Sequence, residues 1–350
     1  MRKVSVITAF LNEESNLPVF KDRVLAVFKG LDFDYEVVLV DDHSSDGGSR
    51  FAKEWASENP RVSYVRLSRN CGSHAAFAAG LAKCTGDSAI FLAADLQDPP
   101  EVIPQLIQQW TAGHDVVWAT RAERLGESRS TKLFSQTYYW LMRRLAFPDM
   151  PAKGADFLLV DRKVIDVYNA IPEKNTSFLP MIMWLGFRQT SIDYVKQARH
   201  SGTTKWSFWK KVKLLIDSLV SFSYAPIRLI SLLGVCVSLA GFLYAIVVIV
   251  IAFNGVPVQG WSSLMVVVLI LSGMQMLMLG VFGEYLWRAF DEARGRPRYI
   301  IEEFLAAKGA VRTDPVRTPS ENGNSGVGSG DSSAVKTPAS EAICCAEELT

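Results

Sequence analysis

Short apolar runs that break off in polar clusters set the rhythm of the first part of the chain. Residues 4–8 (VSVIT), 35–40 (YEVVLV), 62–67 (VSYVRL), 90–94 (IFLAA) and 116–120 (VVWAT) each read as a strand. Amphipathic stretches lie between them. The first opens at Asn16 with Pro18 and closes at Gly30, another runs to about Asn59, and a small-residue helix covers residues 75–83 after the turn 68–73. Strands alternating with helices predict a doubly wound, mostly parallel α/β sheet.

The pattern changes beyond residue 205. Residues 206–224 mix Trp206, Phe208 and Trp209 with Lys210, Lys211 and Lys213, the composition of a helix lying in a membrane interface. Residues 229–253 and 264–282 are uncharged apolar runs near the ~20 residues that cross a bilayer. Their connector, residues 254–263, has no Lys or Arg, whereas Arg228 precedes the pair and Arg288, Arg294, Arg296 and Arg298 follow it. By the positive-inside rule both ends belong on the cytoplasmic side. From residue 308 the chain turns to Ser, Gly, Pro, Thr and Glu, too polar to bury a core, and reads as a disordered tail. The expected organisation is a cytoplasmic α/β domain (1–205), juxtamembrane amphipathic helices (206–226), a two-helix membrane region (227–287), a basic segment (288–307) and the tail (308–350).

Candidate chemistry gathers where the strands end. Asn12-Glu13-Glu14, Asp41 to Asp46, and Asp95-Leu96-Gln97 follow three strands, and in a parallel sheet these ends share one edge, where ligands bind. Asp95 and Gln97 offer hard oxygen ligands to a divalent cation. Asp41 and Asp42 are placed to accept hydrogen bonds from a base imide or ribose hydroxyls. The turn at Arg69-Asn70 and the helix start after Gly72 suit a diphosphate. Read alone, Asp95 is equally an Asx turn before the helix that Pro99 and Pro100 open, and a row of helix caps would account for one of the clusters but hardly for all three.

Composition removes several alternatives. With 37 basic against 36 acidic residues the net charge is +1, so no global field marks a nucleic-acid binder. The five cysteines (Cys71, Cys84, Cys236, Cys344, Cys345) show no metal-ligand spacing and read as free thiols. The first residues lack the long apolar core of a signal peptide, in keeping with a cytoplasmic soluble part.

Taken together, Phe10-Leu11-Asn12-Glu13-Glu14, Asp41 to Asp46, Arg69-Asn70-Cys71-Gly72, Asp95 to Glu101 and Arg199 to Lys205 resemble the motifs of family 2 glycosyltransferases with a GT-A (Rossmann-like) fold. The branch is that of dolichol-phosphate mannose synthase and the bacterial polyprenyl-phosphate glycosyltransferases, and the match runs to about Tyr299. The resemblance implies inverting transfer of a sugar from a UDP- or GDP-hexose, UDP-glucose favoured, to polyprenyl (undecaprenyl) phosphate at the cytoplasmic face of a bacterial inner membrane. Phe10, Asn12, Glu14, Asp41, Asp42, Ser44, Arg69, Asn70, Gly72 and Asp95 would hold the sugar nucleotide, with Arg199 and Lys205 on a glycine-hinged loop closing over its diphosphate. Asp95 and Gln97 would ligate Mg²⁺ or Mn²⁺. Asp156, with Asp95, would serve catalysis, while Arg121, Arg124, Arg129 and Lys132 would meet the acceptor phosphate. Two positions depart from the family: Ala93 replaces the first Asp of the usual Asp-x-Asp, and Leu158 stands where many relatives carry Arg. The partners implied are the donor, the lipid acceptor and the bilayer; self-association stays open, as do a membrane enzyme extending a glycan or glycolipid and a sugar-nucleotide-binding scaffold.

Overall fold

A computed structural model describes residues 1–121, 129–147, 150, 155–173, 177–196, 215, 217–218, 220, 222–253 and 260–307. The lysine and tryptophan cluster at 206–214 and the tail from 308 lie outside the described residues. Eight strands build one sheet: β1 (Lys3–Phe10), β2 (Asp34–Asp41), β3 (Val62–Leu67), β4 (Ser88–Ala93), β5 (Val116–Arg121), β6 (Ala155–Asp161), β7 (Gln189–Tyr194) and β8 (Ile301–Leu305). Their order is β7-β5-β6-β4-β1-β2-β3-β8. The β4-β1-β2-β3 block is parallel, as the alternation of strands and helices predicts. Two strands run against it, β6 between β4 and β5, and β8 on the outer side of β3.

Alternate residues of each strand feed opposite layers, as the pleat requires. Val4, Val6, Val37 and Leu39 pack in one cluster, and Ile7, Val38 and Val40 in the other. Helix α1 (Leu17–Lys29) covers the first with a stripe of Leu17, Phe20, Val24 and Phe28, joined by α2 (Gly48–Glu58) and α4 (Ile103–Thr111). Helix α3 (Ser73–Leu81), with α6 (Arg162–Ala170) and α7 (Phe178–Trp184), covers the second. Gly80 lets α3 lie close on the sheet, because a Cβ there would stand 2.3 Å from the Ile7 side chain. Helix α5 (Arg129–Leu145) follows β5.

Both expected apolar spans are helical, as α8 (Ala225–Phe253) and α9 (Trp261–Ala293). Within the described residues one window, Ile227–Tyr244, has the length and composition of a membrane span. The two helices meet where Gly234 faces Met278, whose methyl would lie 2.7 Å from an added Cβ. After α9 the chain returns to the sheet as β8: the Ser68 amide donates to the Ile300 carbonyl at 3.0 Å and the Ala307 amide to Ser63 Oγ at 3.0 Å. The carboxyl end of the helical pair is therefore tied to the sheet domain, and the segment that the sequence marks as basic contributes a strand.

Candidate functional site

The register brings three strand ends side by side, with Ala93 opposite Ala9, Phe10 opposite Asp41, and Asp41 opposite Arg66. Each of the loops leaving β1, β2 and β4 carries a residue in the left-handed backbone region: Asn12 at φ 56°, His43 at 66° and Leu96 at 59°. No other non-glycine residue among those described has a positive φ. Asn and His tolerate this region better than most residues; a buried leucine does not. Such strain costs about 1–3 kcal/mol per residue and clusters at ligand sites.

The first two loops are cross-linked. The Asn12 amide donates to Ser44 Oγ at 3.0 Å, and the Ser45 amide to Asn12 Oδ1 at 2.8 Å. The Glu14 amide donates to Asp46 Oδ2 at 3.0 Å, while Glu14 Oε2 accepts from the Gly47 amide at 3.0 Å. A Cβ at position 47 would meet the Glu14 carboxylate, which would have to move aside. Phe10 is buried beneath them.

Asp41 is fully buried, and its carboxylate accepts from the Ser44 amide at 2.7 Å, the Tyr64 hydroxyl at 3.0 Å, Arg66 Nη1 at 2.5 Å and the Ser49 hydroxyl. Burial, reinforced by the charge of Asp41, pushes the Tyr64 hydroxyl up to about 12. Asp42 accepts from the Cys71 amide at 2.7 Å and the Gly72 amide at 2.9 Å, so it clamps the 69–72 turn that opens α3. Burial raises its pKa, and neighbouring Asp41 adds to the effect. Asn70 Oδ1 also accepts from the Gly72 amide, at 3.1 Å, and Gly72 sits at φ 86°. Both aspartates thus shape the loops from below, and the exposed groups on the rim are Asn12, Glu14, His43, Ser45, Arg69 and Asn70. Ser49, Tyr64 and Arg66 fall outside the motifs read from sequence; a lone charge inside the apolar run 62–67 is the available signal for Arg66.

In the third loop Asp95 and Gln97 are part-exposed, with buried Leu96 between them. Asp95 Oδ1 accepts from the Gln97 amide at 3.2 Å, so the Asx-turn alternative is realised in part. The helix-cap alternative is not, because neither Pro99 nor Val102, the cap positions of the turn Pro100–Val102 and of α4, receives a side-chain cap. Buried Asp98 anchors the loop, accepting from Tyr194 Oη at 2.5 Å with Lys196 Nζ at 3.7 Å. Among the described residues no three His, Cys, Asp or Glu side chains gather as a metal cage. One carboxylate and one amide oxygen suit two of the six positions of an octahedral oxygen site, whose remaining positions suit diphosphate oxygens and water.

On the other side of β4, Arg121 closes β5, and Arg129 and Lys132 lie in the first turn of α5. Asp156 is the extra residue of a β-bulge, since Ala119 pairs with Phe157 and Thr120 with Ala155. Arg124, Arg199 and Lys205, and the side chains of Arg129, Lys132 and Asp156, lie outside the described residues.

The family model described as Glycosyl transferase family 2 matches residues 5–168. The chain is 37% identical over 300 residues to an uncharacterized glycosyltransferase, YkcC, of Bacillus subtilis, spanning 85% of this chain and 93% of that protein. It is 34% identical to the bactoprenol glucosyl transferase of Shigella phage SfX, over 86% of this chain and 99% of that protein. With the undecaprenyl-phosphate 4-deoxy-4-formamido-L-arabinose transferase of Pectobacterium carotovorum it shares 35% identity, over 89% and 97% of the two chains.

Proposed function

The chain belongs to glycosyltransferase family 2 and is a hexosyltransferase, and on that premise we propose that it transfers one sugar from a nucleotide-sugar to the phosphate of a membrane polyprenol. The observation that carries this reading is the row of three strained loops along the carboxyl edge of one sheet. Two relatives whose names carry different sugars share a polyprenol acceptor in those names, which supports the lipid acceptor while leaving the sugar free. UDP-glucose is the favoured donor.

In this reading Asn12, Glu14, Ser44 and their loops receive the nucleoside, with Asp41 and Asp42 holding those loops in shape. Arg69, Asn70 and the amino end of α3 after Gly72 meet the diphosphate, joined by Arg199 and Lys205. Asp95 and Gln97 would hold Mg²⁺ or Mn²⁺, which supplies positive charge against the departing diphosphate. An oxygen of the acceptor phosphate forms the new bond to the anomeric carbon as the bond to the nucleoside diphosphate breaks, inverting that carbon. A phosphate monoester with a second pKa near ~6 is largely ionised at neutral pH, so the attack needs little basic assistance. Asp156 orients the nucleophile, and Arg121, Arg124, Arg129 and Lys132 neutralise it. Helices α8 and α9 both cross the bilayer and keep the domain and both termini cytoplasmic; the uncharged connector, the arginines after α9 and the return of the chain to the sheet support that topology.

The test is incubation of the purified full-length protein with labelled UDP-glucose or GDP-mannose and undecaprenyl phosphate, with and without EDTA. The expected product is an organic-extractable lipid-linked monosaccharide whose formation EDTA stops. Label found only in longer glycans would identify an extending enzyme. Donor binding without transfer to any lipid acceptor would identify a scaffold, the reading for which Ala93 argues.

A further inference from the structure

Strand β8 returns from the long helices carrying an irregularity at the level of the candidate site. It pairs antiparallel with β3, Tyr64 opposite Leu305, Val65 opposite Phe304, Arg66 opposite Glu303 and Leu67 opposite Ile301. One step along β3 is thus matched by two along β8, and Glu302 is the extra residue. A bulge bends its strand and re-aims a side chain, and bulges are frequent beside active sites.

The re-aimed carboxylate reaches the donor-side loops. Glu302 Oε2 accepts from Arg66 Nε at 3.0 Å and lies 3.8 Å from His43 Nδ1. Arg66 in turn donates to Asp41 at 2.5 Å, to the Ser44 carbonyl at 3.3 Å and to the Ser49 hydroxyl. His43, held in the left-handed region, has its Nδ1 3.1 Å from the Leu67 carbonyl. One planar guanidinium is therefore gripped on three sides, by a fully buried carboxylate, by the loop that follows β2, and by a half-exposed carboxylate 236 residues further along the chain. A fork of fixed geometry transmits the position of each acceptor to the others.

We propose that Glu302 is a positioning residue of the donor pocket: by fixing the plane of Arg66 and bordering His43 it sets the β2 loop against the nucleoside, so that the segment after the membrane helices completes the site. The proposal rests on the sugar-nucleotide reading above. Without the Glu302 carboxylate, Arg66 remains tied to Asp41 but can pivot about that contact, and the Ser44 carbonyl and His43 lose a fixed neighbour. Glu303 provides an internal control, since its carboxylate goes instead to Lys53 on α2, at 2.5 Å.

The experiment uses full-length protein in detergent, with UDP and GDP titrated calorimetrically and donor and acceptor kinetics measured alongside. Glu302→Ala should weaken binding of the preferred nucleotide and raise donor KM about three- to fivefold, the scale of a half-exposed ion pair. Its kcat, acceptor KM and melting temperature should stay close to those of the parent. Glu302→Gln, which keeps an acceptor for Arg66 Nε, should recover most of the loss, and Glu303→Ala should show none. Parent-like nucleotide binding in Glu302→Ala would overturn the proposal. So would equal losses in Glu302→Ala and Glu303→Ala with matching falls in melting temperature, since β8 would then only buttress the sheet. If the parent bound neither nucleotide, the sugar-nucleotide reading itself would fall, and the proposal with it.

Discussion

Strand β2 has a buried carboxylate near each end, and the two behave in opposite ways. Near the amino end, Glu36 is 2% exposed and meets Lys3 Nζ at 2.6 Å, the Ser5 hydroxyl at 2.6 Å, and the Thr85 amide and hydroxyl at 2.5 and 2.6 Å. Burial pushes its pKa up, but these donors together outweigh burial and hold it below the usual carboxylate value. Just past the carboxyl end, Asp42 is 4% exposed, accepts two backbone amides and has Asp41 beside it; there burial wins and the pKa rises. Burial is common to both and marks neither as functional. The difference lies in compensation: Glu36 at the amino edge is met by a full set of donors, whereas Asp42 at the carboxyl edge stays under-compensated among loops with left-handed residues.

The largest expected effect tests the carboxyl edge. Asp95→Ala should lower turnover about 10³-fold, with a melting temperature within about 3 °C of the parent because a rim carboxylate packs against little. A folded variant with normal activity would remove Asp95 from the site. At the amino edge the outcome should invert: Glu36→Ala leaves buried donors unpaired and should cost about 3 kcal/mol in denaturant unfolding, while turnover of the folded fraction is unchanged.

Acid sharpens the contrast further. The Glu36 pKa lies below its unfolded value near 4.5, so its contribution is complete above that value and is lost as pH falls through the folded one. His74, which accepts the Phe178 amide at 3.3 Å, is held down to about 4 by burial and by the nearby Arg298 charge, against 6.5 when unfolded. Its contribution is complete above pH 6.5, and about 2 kcal/mol of it should be gone by pH 5. Asp42 has the reverse sign, since its raised pKa makes stability decline as pH climbs from 3.8 through the folded value. Unfolding measured between pH 7 and 5 should show the His74 slope, and His74→Asn should flatten it. The smallest expected change is at position 93, where Ala93→Asp should tighten Mn²⁺ binding about tenfold; an unchanged titration would mean that this position does not face the ion.

Local pattern revealed the first strands, the intervening helices and the three polar clusters, because period and turn chemistry are short-range properties. It could not reveal the antiparallel insertion of β6 between β4 and β5, nor β8, whose residues IEEFL become a strand only by pairing with β3. The site was legible to the same extent. Asp41 and Asp42 were found, yet their carboxylates serve Ser44, Arg66 and the 69–72 turn, contacts set by tertiary structure. Asp156 and Glu302 are the extra residues of two bulges, and a bulge depends on the register with a partner strand that a single run of sequence does not contain.

On the proposed reading, the carboxyl edge is a donor site completed by a divalent ion on Asp95. The most direct test of that reading is calorimetric titration of UDP-glucose and GDP-mannose into the full-length protein and its Asp95→Asn variant, with Mn²⁺ and with EDTA. The parent should bind one donor in a Mn²⁺-dependent way, and the variant should bind it far more weakly or not at all. Equal binding by both proteins in EDTA would contradict the reading.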